Sequence, residues 1–252
     1  MHLSKDKKIY FASDFHLGVP SHKESREREN RIVAWLEVVQ NDAKVIYLVG
    51  DIFDFWFEYK HAIPKGFTRF FGKIAALTDA GIEVVFFTGN HDMWMFDYLE
   101  KELGVKVIRE KIEIEINGKH FLIAHGDGLG PGDRGYKIIK AVFANKVCQW
   151  MFARLHPNFG IGLANYFSKT SRKHSVNEDK YLGREKEWLV QYSLKMLEKK
   201  HFDFFIFGHR HFPITVQLSD KSQYINLGEW ISHNSYLEFD GEKCVMSYFS
   251  AN

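Results

Sequence analysis

Apolar runs and amphipathic stretches alternate along the first ninety residues of the chain. Residues 7–14, KKIYFASD, read as a short strand, and residues 44–51, KVIYLVGD, as a second one. Between them RENRIVAWLEVVQNDA (28–43) places Ile32, Trp35, Leu36 and Val39 at helical spacing. FTRFFGKIAALTDAG (67–81) predicts a helix closed by Gly81, followed by a third strand in IEVVFFTGN (82–90). These strands are apolar on both faces, so the βαβαβ pattern predicts an α/β fold on a largely parallel sheet covered by helices. Further on, KIEIEING and KHFLIAHGD flank Asn117-Gly118, a hairpin signal. FDFFIFGH, ITVQL, QYINLGEW, SYLEFDG and CVMSYF supply more strands, the later ones antiparallel. No internal repeat, linker or low-complexity tract is visible.

Composition narrows the class. With 252 residues, 45% hydrophobic and 26% charged, the chain can bury one large core. The start, MHLSKDKKIYF, holds no apolar run of signal-peptide length, and no stretch is long and apolar enough to span a bilayer. Cys148 and Cys244 stand far apart without metal-type spacing, which predicts a reducing, cytoplasmic setting and two small core residues. Trp35, Trp188 and the Phe pairs at 70–71 and 204–205 also read as core.

The chemistry sits where the apolar runs stop. They close as SDFH (Asp14, His16), GDIFD (Asp51, Asp54), GNHD (Asn90, His91, Asp92), HGD (His125, Asp127) and GHRH (His209, His211). Loops after the carboxyl ends of parallel strands gather at one edge of a sheet, so five distant segments deliver Asp, Asn and His to one place. Carboxylate, carboxamide and imidazole donors without thiolate suit two divalent ions, Mn²⁺ first, with Fe²⁺ or Zn²⁺ sharing the set. Two such ions bridged by one carboxylate clamp a phosphoryl group for in-line attack, and Asp51 is the candidate bridge. Glycine at the GD, GN and GH junctions lets the backbone approach closely. Asp54 and Asp92 either orient the histidines or hold the loop turns. His2, His22, His61, His120, His156, His174, His201 and His233 have no motif around them.

This ordered motif set, filled at every position across residues 9–211, resembles the calcineurin-like metallophosphoesterases. The resemblance implies a single domain over residues 1–252 in which the βαβ core and mixed sheets form a sandwich flanked by helices. It implies that Asp14, His16, Asp51 and His211 hold one metal, and Asp51, Asn90, His125 and His209 the other. SDFHLG, GDIFDFW, GNHD, HGDGLGPGDRGY and LGEW are, further, similar to the UDP-2,3-diacylglucosamine hydrolases of lipid A synthesis. Those enzymes split a pyrophosphate to UMP and a diacylglucosamine 1-phosphate at the cytoplasmic face of the inner membrane. That likeness implies Asn90, His91, His209, Asp133 and Tyr136 as substrate contacts, with Ser168, Arg172 and Lys173 near its phosphates or sugar. The best-known of those hydrolases carry Arg in the slot of His91. An imidazole there protonates a leaving oxygen or stabilises phosphoryl charge, so it makes His91 and Asn90 the catalytic candidates and admits a soluble phosphodiester, nucleotide or nucleic acid as the alternative substrate.

Charge separates these substrates. Residues 134–186 hold eleven Lys or Arg against three acids, whereas the whole chain carries +2. Within that helical lid insert, YKIIKAVFANKVCQWMFARL (136–155) reads as one basic, apolar helix suited to an anionic membrane surface or to a pocket for acyl chains. PNFGIGLANYF adds glycines that loosen a lid. No alternation of basic and base-stacking residues marks a nucleic-acid site, so the expected partners are a UDP-linked diacylated glucosamine and a membrane, with no nucleic acid.

Overall fold

A computed structural model describes residues 1–130, 134–164 and 181–250, with the side chains of 134–136, 138 and 139 outside that description. Its first sheet has the order β11-β10-β1-β2-β3-β4: β1 (Lys8–Ala12), β2 (Ala43–Val49), β3 (Glu83–Phe87), β4 (Lys106–Ile108), β10 (Ser235–Phe239) and β11 (Cys244–Tyr248). The second has the order β5-β6-β7-β9-β8: β5 (Ile112–Ile116), β6 (Lys119–Ala124), β7 (Phe204–Phe207), β8 (Ile214–Ser219) and β9 (Ser222–Asn226). β1 to β4 run parallel, as do β6, β7 and β9, and antiparallel strands complete one edge of the first sheet (β10, β11) and both edges of the second (β5, β8).

The period of two along each strand explains the layering. In β1 and β2, Ile9, Phe11, Val45, Tyr47 and Val49 point toward the second sheet and meet Phe121, Ile123, Ile206 and Ile225 there. Their alternates Tyr10, Ala12, Ile46 and Leu48 meet α1 (His22–Val39), α2 (Thr68–Asp79) and α3 (Tyr98–Leu103). On the far side, Leu122, Phe205 and Phe207 pack on Leu189 and Val190 of α6 (Trp188–Leu197). Four layers result, helices outside and two sheets face to face within.

Three local features depart from the sequence pattern. α1 begins at His22, well before the expected Arg28, because Ser21 Oγ caps the helix: it accepts the Glu24 amide at 3.3 Å and donates to the Glu24 carboxylate at 2.6 Å. The basic helix expected over 136–155 is two, α4 (Arg134–Ala144) and α5 (Lys146–Phe152): Asn145 Oδ1 accepts the amides of Val147 at 2.8 Å and Cys148 at 3.3 Å, starting a new helix. α3 and β4 are too short to register as periodic runs. Trp188 and Cys244 pack half-buried against the core as expected, Cys148 is half-buried on α5, and both cysteines are free thiols.

Substituting Ser21→Ala removes the cap oxygen, and urea unfolding is expected to show a loss of about 1 kcal/mol.

Candidate metal centre

β1, β2, β3, β6 and β7 all end at one edge of the sandwich. Backbone bonds lash the loops beyond them together: Asp14 N to Gly50 O (3.0 Å), His16 N to Asp51 O (2.9 Å) and Gly208 N to His125 O (2.9 Å). Among the described residues three clusters of ligand atoms lie there, Asp14/His16/His211, His16/Asp51/His91 and Asp51/His125/His209, each within 4.8 Å. His16 and Asp51 are each shared by two clusters, so the clusters run together as one chain of donors.

The backbone shows how tightly these side chains are aimed. Asp14, His16, Asp51, His209 and His211 all have φ between 43° and 66°, the left-handed region that side-chain-bearing residues rarely occupy. Neighbouring glycines make room. A Cβ on Gly50 would sit 2.5 Å from His125 Nδ1, and one on Gly89 would sit 2.2 Å from Asp51 Oδ1.

Hydrogen bonds fix which ring nitrogen faces the centre. His125 Nδ1 lies 2.9 Å from Val49 O, and a carbonyl only accepts, so Nδ1 carries the hydrogen. The other nitrogen, Nε2, then faces Asn90 Oδ1 at 3.2 Å and Asp51 Oδ2 at 3.4 Å. Three electron-rich atoms converge without a hydrogen between them unless the ring is charged. His16 Nε2 and His211 Nε2 likewise approach to 3.1 Å, and the buried Asp14 Oδ1 lies 3.2 Å from that His211 nitrogen and 3.7 Å from His16 Nε2. A cation resolves all three arrangements, and the donor set of oxygens and imidazoles fits two hard-to-borderline divalent ions.

Protons otherwise compensate the charge. Burial opposes an imidazolium at His125, but the Asp51 carboxylate and its neighbours outweigh it and bring the ring up to about 10; His16, between Asp14, Asp54 and Asp51, also rises to about 10. Although burial alone would raise it, the surrounding imidazoles hold Asp51 below the usual carboxylate range. Burial and then the His125 charge push His209 down to about 4.

The open alternatives for Asp54 and Asp92 divide between them. Asp92 accepts the amides of Ile52 (2.7 Å), Phe53 (3.2 Å) and Gly89 (2.7 Å), so it ties two loops together. Asp54 Oδ1 lies 3.5 Å from His16 Nδ1 and orients that ring. His91 donates its amide to Asp51 Oδ1 (2.8 Å), and its Nδ1 lies 2.9 Å from Asp54 O, so Nδ1 carries the hydrogen there too. Burial lowers the His91 pKa, favouring the neutral ring.

The sequence pattern did not reveal how the insert attaches. The aromatic tails of GDIFDFW and GNHDMW carry it: Phe152 of α5 lies 4.7 Å from Phe57, 4.8 Å from Trp94 and 6.2 Å from Phe55, centroid to centroid. Trp94 Nε1 donates to Phe143 O of α4 at 2.8 Å. Gly160 lies buried against Tyr59, where a Cβ would come 2.5 Å from the hydroxyl, so the absence of a side chain permits this packing. Asp133, Ser168, Arg172 and Lys173, and the Tyr136 side chain, lie outside the described residues.

Because His16 and His125 are protonated below about pH 10, metal uptake at pH 7 to 8 must expel protons. Calorimetry in buffers of different ionisation enthalpy is expected to show release of about two protons per pair of Mn²⁺ ions, and affinity rising with pH. Uptake without proton release would contradict this charge assignment.

The calcineurin-like phosphoesterase family model matches residues 7–213. A UDP-2,3-diacylglucosamine hydrolase of Porphyromonas gingivalis is 42% identical, covering 95% of this chain and 96% of its own. Another of that name, from Actinobacillus succinogenes, is 27% identical and covers 92% and 95%. Among solved structures, Yfce, a phosphoesterase from E. coli, aligns over 96% of this chain and 92% of its own at 16% identity and a TM-score of 0.46. The family match opens in β1 and ends just beyond His211, so it takes in every strand end that supplies the cluster, and the chain belongs to the calcineurin-like phosphoesterases.

Proposed function

We propose that this hydrolase cleaves the pyrophosphate of UDP-2,3-diacylglucosamine to UMP and 2,3-diacylglucosamine 1-phosphate at the cytoplasmic face of the inner membrane. The observation that carries the reading is an apolar, basic insert seated through Phe143 and Phe152 on Phe57 and Trp94, the aromatic residues that follow the donors of β2 and β3. Its exposed side chains include Val142, Phe143, Val147, Trp150, Met151 and Phe159, with exposed Lys146 and Arg154 among them. A soluble substrate requires no such surface, whereas a lipid at an anionic bilayer does. A hollow of about 480 Å³ between the two, lined by Leu17, Phe55, Phe67 and Ile161 beside Asp54, suits an acyl or sugar end. The names of the two hydrolase relatives support the same substrate. No helix among the described residues is long and apolar enough to cross a membrane, so attachment would be peripheral.

Asp14, His16, Asp51 and His211 would hold one ion and Asp51, Asn90, His125 and His209 the other, Mn²⁺ being our first choice. Bound there, the pair supplies Lewis acidity at the phosphoryl oxygens and an activated water. Asn90 turns Oδ1 toward His125 and keeps its Nδ2 hydrogens for a phosphoryl oxygen. His91 has Nδ1–H committed to Asp54 O, so proton movement occurs at Nε2. The neutral ring carries no hydrogen at Nε2, so His91 would first take a proton there from the attacking water, and burial would make that proton acidic enough to pass to the leaving phosphate oxygen. Asp133, Tyr136, Ser168, Arg172 and Lys173 remain our proposed contacts for the sugar and phosphates, and residues 134–186 our proposed lid. His91 also favours a second reading, hydrolysis of a soluble phosphodiester, because an alkoxide leaving group needs such a proton more.

Release of UMP from UDP-2,3-diacylglucosamine, compared with cleavage of bis-p-nitrophenyl phosphate under Mn²⁺, decides between them; rapid diester cleavage without UMP release would overturn the lipid reading. Asp51→Ala and His125→Ala are each expected to lose on the order of a thousandfold in kcat, as the loss of several kcal/mol of charge stabilisation implies. The triple substitution Val147→Ser, Trp150→Ser, Met151→Ser is expected to lower lipid turnover and binding to anionic vesicles at least about tenfold while sparing the soluble diester.

A further inference from the structure

Arg210 stands between two of the candidate ligands in GHRH, yet it faces away from the donor cluster into the protein. It is 4% exposed. Its Nε donates to Glu187 Oε1 at 2.6 Å and its Nη2 to Glu187 Oε2 at 3.2 Å, the two-pronged arrangement that fixes orientation as well as distance. The guanidinium also lies 4.4 Å over the Trp188 ring, which meets the His209 ring at 71° with centroids 6.5 Å apart. Glu187 is 2% exposed and immediately precedes α6, where Leu189 and Val190 are fully buried against the second sheet. One end of the pair is therefore anchored in the core, and the other is the loop that carries His209 and His211.

That loop needs an anchor. His209 and His211 have φ of 66° and 52°, conformations that persist only where surrounding contacts hold them. His209 N donates to Asp14 Oδ2 at 3.0 Å, and Asn226 Nδ2 to Gly208 O at 2.5 Å. The first tie comes from a candidate ligand and the second grips the start of the loop. Arg210 grips its centre. A buried ion pair contributes little net stability compared with apolar side chains of the same volume, so geometry is the better account of its presence.

We infer that Arg210 is a positioning residue: paired with Glu187, it holds His209 and His211 in ligating geometry and ties the metal loop to the point where the chain returns from the insert. The inference rests on the two-metal reading above.

The test measures Mn²⁺ affinity of the metal-free full-length chain by calorimetry, beside its melting temperature in chelator. Arg210→Met is expected to lower both, because it leaves Glu187 buried and unpaired. Arg210→Met with Glu187→Met removes that charge; it is expected to restore the melting temperature while Mn²⁺ affinity stays about tenfold or more below the unmodified chain. Arg210→Lys, which keeps charge without the fork, is expected to fold and to bind Mn²⁺ with intermediate affinity. Unmodified Mn²⁺ affinity in either the double variant or Arg210→Lys would overturn the inference and leave the pair a purely structural contact. If the unmodified chain itself bound no Mn²⁺, the metal-centre reading would fall, and this inference with it.

Discussion

The fully buried carboxylate of Asp51 is the constraint from which the centre follows. A charge in that setting must be compensated, and the groups facing it are imidazoles, His125 at 3.4 Å and His16 at 3.9 Å. Those rings come from different sheets, so neutralising one carboxylate draws the two sheet edges together. Its second oxygen accepts the His91 amide, which sets the third loop against the first two. Cations and protons are interchangeable answers to this electrostatic demand, and the left-handed backbone at five donors is the conformational cost of meeting it.

The same loops serve a second purpose a few residues later. Beyond the polar donors, GDIFDFW and GNHDMW continue into Phe55, Phe57 and Trp94, whose rings receive Phe152 of the insert. Donors and docking surface therefore share one short stretch of backbone, and a shift in either displaces the other. On the opposite side, Lys140 of α4 meets Asp127 at 2.5 Å beside His125, and Glu187 meets Arg210 beside His209. The insert is thus joined to the donor loops through Lys140, and the helix that follows it through Glu187.

Much of this was legible in the sequence, for a physical reason. A buried strand is a long apolar run, and polar residues placed immediately after it stand at the sheet edge, so SDFH, GD, GNHD, HGD and GHRH could be read together. The family model spans the same segments. Helix boundaries were less legible because single side chains set them: the Ser21 cap lengthened α1, and Asn145 divided the basic helix. Tertiary roles were not legible at all. Nothing in GHRH says that its Arg turns inward to Glu187, and nothing in GDIFDFW separates a core Phe from one that seats an insert. Trp188 read as core because it is aromatic, although one of its faces is covered by a guanidinium.

The central claim is that these five strand ends hold two ions close together across one carboxylate. Electron paramagnetic resonance of the Mn²⁺-saturated chain tests it most directly. A spectrum with the multiline hyperfine pattern of an exchange-coupled Mn²⁺ pair, collapsing to isolated Mn²⁺ when Asp51 is replaced by Ala, is the predicted result. Isolated, uncoupled Mn²⁺ at every loading of the unmodified chain would contradict it.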